Sequence, residues 1–249
     1  MRRGAAGRRS SRIVGSLLPV DFSGMLAMFS AAKAQTTGGN VDSWPQSGGS
    51  VVSAPSSTST NRPTLVTVSG RPFVRFLPAS SQRLVETSSS LAAALASTSS
   101  YTIYCAVSRT DPGGGVNGTL CGWAQAAGTN LALHACNSNL DQYSRFVSGT
   151  PTTNLTGGSV WPSTLVAYAS VFSGSSITNY LNASQVLTGA NTANIGATSI
   201  FSIGCYTLSS GSFGGYLPGD IGTLAIFSGA HSVSRVVRTT RWVRSVYGF

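Results

Sequence analysis

Asp21, Asp42, Glu86, Asp111, Asp141 and Asp220 are the whole acidic inventory of a chain of 249 residues. Cleaving a glycosidic bond takes two carboxyl groups on either side of it, one acting as acid and the other as nucleophile or base. No two of these six lie within a few residues of each other, so no single strand carries such a pair. A serine nucleophile would need a histidine oriented by an acid. The only histidines are His134 and His231, and there is no Gly-x-Ser-x-Gly elbow. His134 falls in a predicted strand and His231 just ahead of a predicted helix, places where a histidine serves packing. Gly113 to Gly115 are not followed by Gly-Lys-Ser/Thr, so the phosphate-cradling loop is missing too. The expectation is a protein that binds and does not catalyse.

Metal chemistry is as poorly supplied, and no metal or cofactor is expected. Cys105, Cys121, Cys136 and Cys205 show no Cys-x-x-Cys spacing, and two histidines add little toward a zinc site. Asp111 with Asn117, or Asp141 with Asn139, could offer oxygens to calcium, but such a site takes about six oxygen ligands. Both pairs read better as turn formers. Cys121 and Cys136 are equidistant from Gly128-Thr129, the predicted tip of a hairpin, and could face each other across two strands. Free buried thiols are the expectation, because nothing else signals an oxidising compartment.

Only 9% of residues are charged, yet the net charge is +10. Lys33 is the single lysine among 16 basic residues. Ser, Thr, Asn and Gln must therefore supply most of the wet surface, which suits a protein packed into an assembly or exposed outside a cell. Residues 1 to 16 form a basic arm carrying Arg2, Arg3, Arg8, Arg9 and Arg12, a composition that does not fold alone. The apolar stretch Ile13 to Leu18, followed by Ala32-Lys33-Ala34, imitates a secretion signal, but Pro19 and Asp21 interrupt it. No apolar run reaches the length of a membrane span.

The elements that would position these residues are short strands. Thr64 to Val68 and Arg71 to Phe76 flank Ser69-Gly70, a two-residue hairpin turn, and Pro72 places the start of the second strand at an edge. Leu17 to Phe29 predicts a strand or short helix, and Gly38 to Pro63 reads as loop-rich. Tyr101 to Ser108 reads as a central strand, with Tyr101, Ile103, Cys105 and Val107 on one face and Tyr104 and Ala106 on the other. Further strands are predicted at 119–124, 130–136, 143–147, 164–172, 176–182, 200–207 and 220–227, without βα alternation. After Ser232, a plausible N-cap, Val233, Val236, Val237, Thr240, Val243 and Tyr247 recur at helical spacing. Arg235, Arg238, Arg241 and Arg244 lie beside that stripe as a solvated or a docking face. The sum is an all-β antiparallel sandwich over residues 17–249 with a C-terminal α-helix.

Four segments carry a resemblance: Val41 to Gly48, Asn61-Arg62-Pro63-Thr64-Leu65, Gly70 to Phe76, and Gly219 to Phe227 with the closing Val246-Tyr247-Gly248-Phe249. In order and spacing they resemble the concanavalin A-like lectin/glucanase (laminin-G-like) jelly-roll domains found in tailed-phage virion proteins. Pro45-Gln46, Leu77 and Thr223 stand where that family often has acids, which weakens any inherited calcium site. The resemblance implies a non-enzymatic virion protein, a capsid decoration, head-fibre or tail component, docked by its basic arm on a protein lattice. A homo-oligomer, by analogy a trimer, goes with that reading. The alternative is a lectin-like, carbohydrate-binding or receptor-binding module, with Trp123, Trp161 and Tyr216 as candidate sugar platforms. A second alternative has the arm contact packaged nucleic acid. No membrane partner is expected.

Overall fold

A computed structural model describes residues 21–46, 51–53, 59–86, 90–96, 98–109, 118–124, 130–136, 142–148, 152–157, 162–191, 200–207 and 212–249. In chain order the strands begin with β1 (Met25–Ser30), β2 (Gln35–Thr37), β3 (Asn40–Pro45), β4 (Val51–Ser53), β5 (Thr64–Val68), β6 (Arg71–Phe76) and β7 (Leu84–Glu86). A two-turn helix α1 (Ser90–Ala96) precedes β8 (Tyr101–Arg109), β9 (Gly118–Ala124), β10 (Asn130–Cys136), β11 (Gln142–Ser148) and β12 (Thr152–Gly157). Then come β13 (Val166–Phe172), β14 (Ser176–Leu181), β15 (Ser184–Ala190), β16 (Ile200–Ile203), β17 (Tyr206–Thr207), β18 (Phe213–Gly214), β19 (Gly219–Ser228) and helix α2 (Val233–Tyr247).

All pairings are antiparallel; β17 and β18 form a two-stranded sheet of their own, and the others resolve into two layers. One runs β19–β8–β13–β14–β15, with β1 and the β5–β6 hairpin sharing the far edge of β19. The other runs β2–β3–β4–β7–β16–β9–β10–β11–β12. The layers are stitched where Asn40 of β3 pairs with Thr64 of β5 and Phe29 bridges Gln46.

The burial of β8 follows its residue types. Tyr101, Ile103, Cys105 and Val107 enter the core between the layers, with Trp44, Phe76, Leu120, Trp123, Phe201 and Ile221. Tyr104 and Ala106 point to the opposite face, and that face is dry too. Tyr104 packs in a cluster with Ala169, Phe227 and Val236, and Ala106 with Phe73, Ala167, Val243 and Tyr247. Helix α2 supplies the cover. Ser232 caps its start by accepting from Arg235 N–H, and Gly248 ends it in the left-handed region. The buried line runs through Val236, Thr239, Thr240, Val243 and Tyr247, as helical spacing demands. Val233, counted in the predicted stripe, is 61% exposed.

Two of the four helix arginines hold structure. Arg235 donates to the carbonyls of Asp21 (2.8 Å) and Ser23 (2.9 Å) and pairs with the Asp21 carboxylate at 3.6 Å. Arg244 donates to the Phe249 carbonyl at 3.2 Å. Arg238 and Arg241 remain exposed, so any docking face is half the width the sequence suggests.

The Gly219–Thr223 segment is explained almost atom by atom. Asp220, buried, accepts two parallel hydrogen bonds from Arg75 of β6, at 2.7 and 2.8 Å, at the position where the two residues face each other in the ladder. Gly222 lies under the Tyr247 ring, so closely that a Cβ would come within 2.3 Å of it. Thr223 then hydrogen-bonds the Tyr247 hydroxyl.

Three expectations change. The predicted 200–207 strand is two, β16 and β17, broken where the Ser202 hydroxyl donates to the Cys205 carbonyl (2.9 Å). The loop-rich Gly38–Pro63 stretch contains β3 and β4. Cys121 faces His134, not Cys136, because the β9–β10 pairing is centred one residue earlier than Gly128-Thr129, and Cys136 lies opposite Gly118. Cys105, Cys121 and Cys205 are free and buried.

The ion pair yields an asymmetric test. Arg75→Ala strands a buried carboxylate and is expected to cost about 3–5 kcal/mol. Asp220→Ala leaves a guanidinium that can turn to water, and about 1–2 kcal/mol should go. Urea unfolding of the two variants checks the order; equal losses would refute the role given to the buried partner.

Candidate functional site

Each of the four carboxylates among the described residues is bound to a partner within the fold. Asp21 accepts from Ser23 N–H at 2.8 Å, which, with the Ser23 hydroxyl and Arg235, holds it below the usual range. Asp42 accepts from Arg62 and from Thr37. Glu86 caps α1, accepting from Leu91 N–H (2.6 Å), Ala92 N–H (3.0 Å) and the Ser90 hydroxyl (3.1 Å). Asp220 belongs to Arg75. Asp111 with Asn117 and Asp141 with Asn139 lie outside the described residues. Among the described residues no three His, Cys, Asp or Glu come together as metal ligands do.

The histidines are built into the interior. His134 Nε2 lies 3.0 Å from the Tyr101 hydroxyl, and burial lowers its pKa to about 3. His231 Nδ1 lies 2.8 Å from the Tyr104 hydroxyl, and burial, then Arg235, lower it to about 4. Burial likewise pushes the Cys105 and Cys121 thiols up, and that of Cys205 to about 12. None is a thiolate nucleophile at neutral pH.

The aromatic candidates separate. Trp123 is 1% exposed, with Tyr101 at 4.9 Å and Phe201 stacked at 6.4 Å between ring centroids. It offers no ring face to a sugar, because β9 turns it into the space between the layers. Trp161 and the arm residues Arg2, Arg3, Arg8, Arg9 and Arg12 lie outside the described residues.

Tyr216 is half-buried and belongs to a cluster the sequence did not assemble. Strands β17 and β18 pair Tyr206 with Gly214 and Thr207 with Phe213. The Tyr216 hydroxyl donates to the Phe213 carbonyl at 3.1 Å. The Arg83 guanidinium sits 4.5 Å above the Phe213 ring and donates to the Ser81 carbonyl at 3.1 Å. The Tyr206 ring packs so closely on Gly215 that a Cβ there would come within 2.3 Å of it, and the Gly215 carbonyl accepts from Thr119 N–H of β9 at 2.8 Å. Phe213 and Tyr216, with Arg83 over the former, form a part-exposed aromatic ledge beside a cation; Tyr206 lies on the other face of the two-strand ladder, by Gly215, which is fastened to β9. Arg83 carried no signal in the sequence, since it lies 130 or so positions from Phe213.

A concavity of about 360 Å³ opens where β1 meets β3, lined by Met28, Ser30, Lys33, Pro45 and Gln46.

No known family model matches the chain, and no curated protein sequence matches it. Solved structures do. The family-40 carbohydrate-binding module of a Ruminococcus gnavus IT-sialidase, bound to α2,3-sialyllactose, aligns at TM-score 0.52 and 13% identity, over 60% of this chain and 87% of that one. The receptor-binding domain of botulinum neurotoxin type G aligns at TM-score 0.61 and 7% identity, over 89% of this chain and 52% of that one. A Trypanosoma rangeli sialidase aligns at 0.57 and 12%, over 91% of this chain but only 34% of its own length. The chain thus shares with them the fold of an antiparallel β-sandwich, closed here by a C-terminal helix.

His134 makes acid stability measurable. Its folded pKa is depressed below the ~6.5 of an unfolded histidine, so the unfolded chain takes up the proton first. Stability is full above pH 6.5 and is lost as pH falls, by about 1.4 kcal/mol per unit for this residue. Urea unfolding between pH 7 and pH 4 should show that slope, with His231 adding to it. His134→Gln should lower stability at pH 7 and flatten the slope; an unchanged slope would sink the assignment.

Proposed function

We propose that this protein binds glycans as a lectin-like module and does not cleave them. The carrying observation is the Phe213–Tyr216 ledge with Arg83 beside it. Aromatic faces accept the C–H face of a sugar ring, while polar tips and a guanidinium take its hydroxyls. The fold supports the reading, since one structure like this chain is a sialidase carbohydrate-binding module with sialyllactose bound and another is a toxin's receptor-binding domain. The absence of cleavage is supported by the carboxylates: the four in view are engaged in ion pairs, hydrogen bonds or a helix cap, and a hydrolase needs two at liberty across one bond.

A component of a tailed-phage virion, docked through the arm at 1–16, is the setting proposed for the module. A chain with only 9% charged residues favours it, and a virion fibre that grips surface glycans would use both properties.

A glycan array probed with the full chain tests the binding. Binding to at least one glycan class is expected, and Tyr216→Ala or Phe213→Ala should weaken it about tenfold, the worth of one good aromatic contact. Unchanged melting temperatures would show the variants folded. A chain that captures no glycan at any density overturns the reading.

A further inference from the structure

Lys33, like the exposed Arg238 and Arg241 of α2, makes no ion pair, and it lines a groove. The ion pairs among the described residues use Arg62, Arg75 and Arg235; Lys33 itself is exposed. It is also the only lysine in a chain whose other 15 basic residues are arginine. It lines the 360 Å³ groove with Met28, Ser30, Pro45 and Gln46, a volume at the small end of the ~300–1,000 Å³ typical of ligand clefts.

The frame of the groove is fixed. Trp44, fully buried, donates its indole N–H to the Ser30 carbonyl at 2.7 Å. Ala31–Lys33 form one 3₁₀ turn, closed by Ala34 N–H to the Ala31 carbonyl at 3.1 Å. Phe29 bridges Gln46. The ammonium therefore swings from a rigid base over walls that are apolar at Met28 and Pro45 and hydroxylic at Ser30.

We infer that this groove binds a carboxylated monosaccharide, a sialic or uronic acid unit, with the carboxylate on Lys33, a ring face on Met28 and Pro45, and a hydroxyl on Ser30. The inference rests on the glycan-binding reading and adds a second subsite to it. One compact ammonium matches a singly charged carboxylate. A phosphate group, with two charges and more acceptors, calls for a guanidinium fork or a nest of N–H groups, and the lining supplies neither.

Calorimetry at low salt with the full chain tests it, using glucuronic acid, α2,3-sialyllactose and lactose. At least one acidic ligand should bind, and Lys33→Met should weaken it about tenfold, the loss typical of a hydrogen bond to a charged group. Lys33→Arg should keep part of the affinity. Which acidic ligand responds tells sialic from uronic acid. Acidic binding indifferent to Lys33→Met, or lactose binding with neither acidic ligand preferred, overturns the inference while glycan binding stands. A chain that takes none of the three overturns the inference, and the array decides the broader reading separately.

Discussion

The fold depends on keeping three adjacent strands, β8, β13 and β19, dry on both faces. Nearly every residue in them is buried, so their ladder bonds form out of water and side chains must be packed above and below. The second layer covers one face and α2 the other. A buried aromatic such as Tyr101 or Tyr104 removes about 150–250 Å² from water, a gross gain of about 4–6 kcal/mol at ~25 cal/mol/Å². Uncovering either face would forfeit several such terms at once. That is why so much of the chain's polar chemistry is spent fastening α2: the Thr223–Tyr247 bond, the Arg235 clamp on the segment before β1, and the Ser232 and Gly248 caps.

The same constraint decides where function can reside. The broad faces of this layer are spoken for, leaving margins and loops. Both surfaces argued for above lie there: the ledge on the β17–β18 hairpin, and the groove where β1 meets β3. Charge follows suit. With six acids against 16 bases, every described carboxylate has been drawn into a structural contact, and Lys33 is left facing solvent beside an apolar wall. A chain so arranged has cations to offer a ligand and few anions.

Local chemistry was legible wherever one strand's own residues settle the outcome. The Ser69-Gly70 turn shows positive φ at both residues, as a two-residue hairpin turn requires. Pro72 is paired only with Thr67, on the edge side of β6, while β19 reaches just Val74 to Phe76. The β14–β15 hairpin was missed because Asn182-Ala183 make its turn, both at positive φ; alanine there breaks the usual turn signature. Glu86 as the cap of α1 was equally hidden, since the helix is only 7 residues long and its cap comes from a preceding strand.

By itself the sequence determined the two-faced apolar alternation of β8, the amphipathic C-terminal helix, and an acid supply too thin for an obvious catalytic pair. These follow from periodicity and residue counts, which no packing can alter. Only the tertiary structure decided that Trp123 is core while Tyr216 is at the surface, that Arg83 stands over Phe213, and that Cys121 faces His134. Each of those depends on register and on contacts between distant segments. A one-residue shift in pairing reverses which face a side chain takes, and nothing local in the chain records it.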